Sequence, residues 1–404
     1  MADSGLFNFE IPWSCAKGQP TILVGVTHAQ TCLVLGPRLR ALRQSGFRVL
    51  LVSSPGPLLD QTAMRHGVER IALPMQRGIA PLADLQALFL LWRLIGRCQP
   101  DLVEFSTPKA GLLGMAAAWL RGVPRRVYML RGLRLETAAG LMRRVLVAAE
   151  RLTAACAHAV VCNSESLRAQ AIHLRLARPG KLKLLGDGSS NGVDIERFFP
   201  GPDTVRAQMG IPAQAPVIGF AGRLTRDKGL PELVEAFELI LGAEPSARLL
   251  LVGWFDASED ALAPALKERI LRHPSIDFTG FVADTAPYYR AMDLLVLPTW
   301  REGFPNVVLE AAASGLPVVT TESTGARDSV IPEVTGLLIP PGHPKAISEA
   351  VLKLIRDAKL RQRMGQAARD WVLEHYQEAD VVAMTVGYYK SLLEPSPAPA
   401  WQDA

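Results

Sequence analysis

The stretch REGFPNVVLEAAASGLPVV spans residues 301–319 and carries two glutamates, Glu302 and Glu310, on either side of a Gly-Phe-Pro turn. Pro305 suits the first turn of a helix, where its missing N–H costs nothing, and Gly315 suits the position just past the end of one. The apolar LPVV that follows reads as a buried strand. Glu302 is therefore expected in a loop and Glu310 on the helix, in a unit that runs loop, helix, strand. A helix N-terminus presents unpaired backbone N–H groups and the positive end of a dipole, which favour an anion such as phosphate.

Working outward, the same alternation of apolar run and helical pattern recurs along the chain. In the first half the runs are TILVGV (21–26), RVLLVSS (48–54), DLVEFS (101–106), RRVYML (125–130) and AVVCNS (159–164), with helices expected over 33–46 and 82–98. Continuous apolar strands separated by helices are the pattern of a parallel sheet covered on both faces. GDGSSNGVDIERFFPGPDT (186–204) breaks the pattern with turn residues and reads as a linker. The alternation then restarts at PVIGFAGR (216–223) and continues through ARLLLVGW (247–254), SIDFTGFV (275–282), LLVLPT (294–299), LPVVTT (316–321) and GLLIPP (336–341), with helices expected over 231–242 and 259–272. The expected fold is α/β, with two Rossmann-like doubly wound domains facing a cleft. The first covers 1–195 and the second 196–378. The helical patterns at 343–377 and 380–394 can pack on either domain, so residues 379–404 are read as a helix able to cross back, ending in a disordered tail, PSPAPAWQDA.

The totals set outer limits. A chain of 404 residues, 49% hydrophobic and 21% charged, is ordinary globular composition for about two to three domains. A net charge of +5 over such a length does not imply nucleic acid. Five cysteines without a Cys-x-x-Cys pair suggest neither a zinc site nor a disulfide framework. The N-terminal segment lacks a continuous apolar run, and no later run approaches the roughly 18 apolar residues that a membrane span needs. A cytoplasmic setting is expected.

Chemistry gathers at the expected strand ends of the second half. GFAGRLTRDKG (219–229) leaves its strand at Gly222 and brings Arg223 and Lys228 into the next loop, where cations can clamp a diphosphate; the alternative is an ordinary solvated loop. VGW (252–254) and TGF (279–281) each place a glycine at a strand end, a weak signal alone. In order and spacing, GRLxxxKG at 222–229, TGF at 279–281, LPTWREGFPNVVLEAAASGLPVV at 297–319 and TGLLIPPG at 335–342 resemble family 4 of the retaining GT-B glycosyltransferases. The resemblance implies that Arg223 and Lys228 bind the diphosphate of a nucleotide-sugar donor and that Glu310 bonds the ribose hydroxyls. It places Glu302 near the transferred sugar, with Gly222, Phe281 and the segment Gly303, Phe304, Pro305, Asn306 and Val307 around the donor. The Asp-x-Asp of metal-dependent transferases is absent, so no metal or other cofactor is expected.

The first half resembles the family more loosely. FSTPKAGLLGMAAAWLRGVPRRVYMLRGLRLET (105–137) is similar to members that extend lipid-linked glycans for capsule, O-antigen and N-glycan assembly. Many relatives have His-Gly after the strand at 125–130, whereas this chain has Arg131-Gly132. Arg131 is a candidate for binding a phosphate of donor or acceptor, with Lys109 and His28 as further cleft candidates. Arg121, Arg125, Arg126, Arg131, Arg134, Arg143, Arg144 and Arg151 face only Glu136 and Glu150 over the same segment. Interleaved with Leu133, Leu135, Leu141, Met142, Val145 and Leu146, they suit either contact with anionic lipid headgroups or a solvated amphipathic helix. The helix around Leu88, Phe89, Leu91 and Trp92 is expected in the core.

The combined expectation is retaining, metal-independent transfer at the inner face of the cytoplasmic membrane. The donor is a UDP-hexose or UDP-N-acetylhexosamine first and GDP-mannose second, and the acceptor is a lipid-linked envelope precursor. A sugar-nucleotide epimerase and a non-catalytic scaffold subunit are the alternatives.

Overall fold

The computed structural model describes residues 18–394, so the PSPAPAWQDA tail lies outside the described residues. The first sheet comprises β1 (Thr21–Gly25), β2 (Arg48–Ser53), β3 (Glu69–Ala72), β4 (Leu102–Ser106), β5 (Arg125–Leu130), β6 (Ala159–Cys162) and β7 (Leu182–Leu184), all parallel, in the order β3-β2-β1-β4-β5-β6-β7. The second comprises β8 (Val217–Leu224), β9 (Arg248–Phe255), β10 (Ile276–Phe278), β11 (Leu294–Leu297), β12 (Val318–Thr321) and β13 (Gly336–Ile339), also parallel, in the order β10-β9-β8-β11-β12-β13. The two doubly wound units face each other across a cleft.

Helices on both faces bury β1, β4 and β6 completely, which is why those strands read as unbroken apolar runs. Strands β3 and β7 escaped the sequence reading. They are short edge strands, ERIA and LKL, and the charged side chains that suit an exposed edge erase the apolar signal. In each sheet the chain reverses its direction of travel beside the first strand, between β1 and β4 and between β8 and β11. The loops at the carboxyl ends diverge at such a switch point and leave a crevice.

Helix boundaries differ from expectation in three places. The 33–46 pattern divides into a 3-10 turn, Ala29–Leu35, and a helix, Gly36–Gln44. The helix expected from 259 begins at Pro264, after a loop that carries Asp256 and Asp260. The long 343–377 pattern is two helices, Pro344–Arg356 and Ala358–His375, separated at Asp357, whose side chain accepts the Leu360 amide at 2.9 Å and so starts the second.

The last helix, Glu378–Leu393, leaves the second sheet and packs on the first. Val382, Val386 and Tyr389 join Ile22, Leu39 and Val127 in one buried cluster. The outgoing chain at Val193 and the returning chain at Tyr376 and Glu378 are joined by Val193 N to Tyr376 O, 2.8 Å, and Glu378 N to Val193 O, 2.9 Å. Inside the cluster, Tyr389 donates its hydroxyl to Glu104 Oε2 at 2.6 Å, and Glu104 pairs with the fully buried Arg38 at 2.8 Å. Tyr389→Ala should lower stability to urea by about 3–5 kcal/mol, through a cavity and a stranded carboxylate. Tyr389→Phe, which loses only the hydroxyl, should cost about 1–3 kcal/mol.

Candidate active site

Strand β11 ends at Leu297, and the loop that follows feeds the helix Asn306–Ala313. Pro305 is the N-cap residue, one position before the expected first turn, and no side chain caps the helix. Its first N–H groups thus have no intrahelical acceptor. Beyond the C-terminal end, the Leu316 amide bonds Ala311 O at 3.0 Å and Gly315, at φ +81, makes the turn into β12. The loop is pinned by Glu302 N to Thr324 O at 3.0 Å and Trp300 N to Asp227 O at 2.9 Å.

Across this loop stands the end of β8. Lys228, in the 3-10 turn Arg226–Lys228, pairs with Glu302, so the loop glutamate and the motif lysine meet side by side. Arg223 is held by Asp256 at 2.9 Å and lies 3.9 Å from Asp227. Arg301 reaches both Asp227 and Asp260 at 3.1 Å and donates to Thr137 Oγ1 of the first unit at 3.0 Å. Burial pushes the Asp227 carboxyl up, but Lys228 and then Arg301 and Arg223 outweigh it and hold it below the usual range. Glu310 lies one helical turn beyond Val307 and accepts the Tyr289 hydroxyl at 2.7 Å; burial raises its carboxyl above the ordinary value.

The first unit contributes Arg131 at the end of β5. The Arg131 carbonyl and Gly303 approach so closely that a Cβ on Gly303 would lie 2.3 Å from the carbonyl oxygen. Two cavities flank this contact. One, of about 240 Å³, is lined by Asn163, Ser190, Gly222 and the segment Gly303–Val307; the other, of about 200 Å³, is lined by Thr107, Tyr128, Leu133, Arg134 and Arg223. Arg131, Lys228 and Glu302 border both. Burial, followed by repulsion from Arg38, lowers the Arg131 guanidinium to about 10, against the opposing pull of Glu104.

The structure therefore brings together Gly222, Arg223, Lys228, Glu302, Arg131 and the Gly303–Val307 segment. It does not bring Lys109 or Phe281 with them. Lys109 turns to Asp84 and the Gly78 carbonyl, and Phe281 is exposed, edge-on to Trp254 with ring centroids 5.5 Å apart. His28 accepts the Gln30 amide at 3.3 Å at the start of its 3-10 turn. Sequence reasoning missed Asp227, Asp256 and Arg301, the counter-charges of the cleft, and Tyr289, which shares no local motif with Glu310. Among the described residues no cluster of three or more His, Cys, Asp or Glu side chains suits a metal ion.

A crevice at the carboxyl ends of two facing parallel sheets, lined by cations and an uncapped helix N-terminus, has the chemistry that suits an anion. Residues 215–357 match the family described as "Glycosyl transferases group 1" and residues 38–188 the "Glycosyl transferase 4-like domain". The capsular polysaccharide biosynthesis glycosyltransferase CapM of Staphylococcus aureus is 34% identical over 92% of this chain and 97% of its own. The chain belongs to the family 4 GT-B glycosyltransferases. This glycosyltransferase is also 30% identical to the GDP-mannose-dependent alpha-mannosyltransferase of Mycobacterium tuberculosis, over 83% of this chain and 86% of that one. It is 26% identical to the Escherichia coli UDP-Gal:alpha-D-GlcNAc-diphosphoundecaprenol alpha-1,3-galactosyltransferase, over 81% and 84%. Its fold matches Anabaena Alr3699/HepE, solved with UDP-glucose, at a TM-score of 0.76 with 21% identity, over 92% of this chain and 99% of that one.

Tyr128, on the wall of the smaller cavity, donates its hydroxyl to the buried Glu150 at 3.0 Å, and burial pushes the Glu150 carboxyl up to about 7. The fold thus favours the neutral acid. Its contribution should be lost as pH rises from about 4.5 to about 7, on the order of 3 kcal/mol, and stay level above that. Urea unfolding of wild type and Glu150→Gln across this window should show a decline in the first that is smaller in the second.

Proposed function

We propose that this glycosyltransferase moves a sugar, with retention of anomeric configuration and without a metal, from a UDP-hexose or UDP-N-acetylhexosamine to a lipid-linked precursor of an envelope polysaccharide. The observation that carries the proposal is the convergence of Arg223, Lys228 and the uncapped helix N-terminus at Asn306 on one cleft. A departing nucleoside diphosphate gains negative charge as the glycosidic bond breaks, so fixed cations and amide dipoles stabilise the transition state more than the ground state.

In this reading Arg223 and Lys228 hold the diphosphate, and the amides of Gly303, Phe304, Asn306 and Val307 hold its oxygens and the sugar. Glu310 accepts the two ribose hydroxyls, since a carboxylate takes two hydrogen bonds from a diol. Glu302, paired with Lys228, orients the sugar and fixes the lysine. The donor phosphate, on the same face as the incoming hydroxyl, takes its proton. UDP is favoured by the name of the E. coli relative, which also carries a diphosphoundecaprenol acceptor. The mannosyltransferase relative supports GDP-mannose as the second donor.

The acceptor's lipid is consistent with the rim of the first unit. No helix among the described residues is long and apolar enough to cross a membrane. The helices Pro81–Cys98 and Gly140–Cys156 lead into β4 and β6, so both begin at the carboxyl, cleft-facing end of the sheet. Near those ends Leu82, Leu85, Leu141, Met142 and Val145 are exposed, with Arg143 and Arg144 among them. The apolar set differs from the sequence reading: Leu133 and Leu135 are buried, Leu146 packs on the core, and Phe89, expected inside, is exposed. Several of the arginines are also committed elsewhere, Arg125 to the Leu392 carbonyl, Arg126 to Cys156 O at 2.6 Å and Arg121 to Trp92. The reading is of a peripheral protein on the anionic inner leaflet.

A thermal-shift series with UDP, GDP, ADP and dTDP should show one nucleotide stabilising wild type and not Lys228→Ala. The same variant should lose turnover while still folding and unfolding cooperatively without ligand, at a somewhat lower temperature because Glu302 loses its partner. Isomer formation without an acceptor would favour the epimerase, and no shift with any nucleotide would favour the scaffold. Flotation with phosphatidylglycerol vesicles should carry the wild type, and Arg143→Glu with Arg144→Glu should weaken it by about 2 kcal/mol or more at low salt.

A further inference from the structure

The cations bordering the cleft do not stand alike. Lys228 has Glu302, Arg223 has Asp256, and Arg301 has Asp227 and Asp260. Among the described residues Arg131 forms no ion pair with a carboxylate, Glu104 acting on it only from a distance, and its Nε and Nη2 are buried without a hydrogen-bond partner. Behind it stands a second guanidinium, that of Arg38, whose carboxylate is Glu104. Glu104 is tied through its other oxygen to Tyr389 of the returning helix. The interior behind the cleft wall thus holds two guanidiniums and one carboxylate, and an uncompensated buried charge is strongly unfavourable until an anion meets it.

The anion has to come from the cleft, because Arg131 borders both cavities. The donor diphosphate is already supplied with cations and a helix N-terminus by the second unit. Arg131 belongs to the first unit, and Thr107, Pro108, Tyr128 and Leu133 of the same unit line the smaller cavity with it. We infer that Arg131 is the receptor for a second phosphate, the one joining the acceptor sugar to its lipid, and that Glu104, held by Tyr389 and Arg38, is a positioning residue that leaves one positive charge for it. The inference rests on the transferase reading. A planar guanidinium takes two phosphate oxygens at once, which fixes the distance from that phosphate to the sugar hydroxyl. The same chemistry would accept the carboxylate of a uronic sugar on the donor, so the test separates the two sources.

Inorganic phosphate is titrated calorimetrically into protein saturated with the nucleotide that stabilises it, and D-glucuronate is titrated in parallel. Phosphate should bind the nucleotide-loaded wild type and bind Arg131→Met at least tenfold more weakly, with Arg131→Lys between them and nucleotide affinity unchanged in all three. Glu104→Gln, which removes the single counter-charge, should tighten phosphate. Failure of phosphate to bind the loaded wild type, its exclusion by nucleotide, or a fall in nucleotide affinity on changing Arg131 would overturn the inference. Tighter binding of glucuronate than of phosphate would overturn it in favour of a uronic donor. If Arg131→Met does not fold, equal phosphate affinity in wild type, Arg131→Lys and Glu104→Gln would overturn it. Should no nucleotide bind, the transferase reading fails separately, and phosphate titrated into the unliganded protein still reports on Arg131.

Discussion

The two units meet backbone to backbone at Gly132 and Gly303. A Cβ on Gly303 would sit 2.3 Å from the Arg131 carbonyl oxygen, and one on Gly132, at φ +126, would sit 3.3 Å from the Gly303 amide nitrogen. Side chains at either place would wedge the cleft apart. Because they are missing, the first turn after β5 rests on the loop before the helix Asn306–Ala313, and Arg131 arrives beside Lys228 and Glu302 without any long side chain having to reach. Further contacts secure the closed arrangement: Thr324 donates to Glu136 at 2.6 Å, and the Gly325 amide donates to Ser166 at 2.8 Å.

Around that contact the charges of the second unit are paired, and Arg131 of the first unit is the exception. Lys228 with Glu302 and Arg223 with Asp256 are each nearly neutral as pairs. An arriving diphosphate would exchange one anionic partner for another instead of meeting bare, desolvated cations. The two glutamates that flank the Gly-Phe-Pro turn accordingly differ in surroundings. Glu302 is answered by a lysine, and Glu310 by the neutral hydroxyl of Tyr289. That difference separates an electrostatic partner from a hydrogen-bond acceptor.

Much of this was legible in the chain because the relevant segments are short and local. The strand, turn and helix around 301–319 carry their own stop and start signals, and buried parallel strands announce themselves as apolar runs. Contacts between distant segments left no such mark. Lys228 and Glu302 are 74 residues apart, and Glu104 and Tyr389 are 285 apart. Glu104 did leave a trace, a carboxylate inside the otherwise apolar run DLVEFS, and such an interruption in a central strand points to a buried partner. Asp227 lies in a variable position of GRLxxxKG, so only the neighbouring arginines give it meaning. Leu133 and Leu135 look exposed in a basic segment because nothing in their spacing says that the turn after β5 folds inward.

The returning helix has a mechanical consequence. The chain passes between the units twice, at Val193 and at Tyr376 to Glu378, and the two passages are stitched into one short parallel bridge. A single tether would let the units drift apart, whereas two tethers fastened at one point act as an axle. Any opening of the cleft would then be a swing about that axle rather than a free separation of the units. Return to the same register is built into that connectivity, because the two passages are fastened to each other at one place.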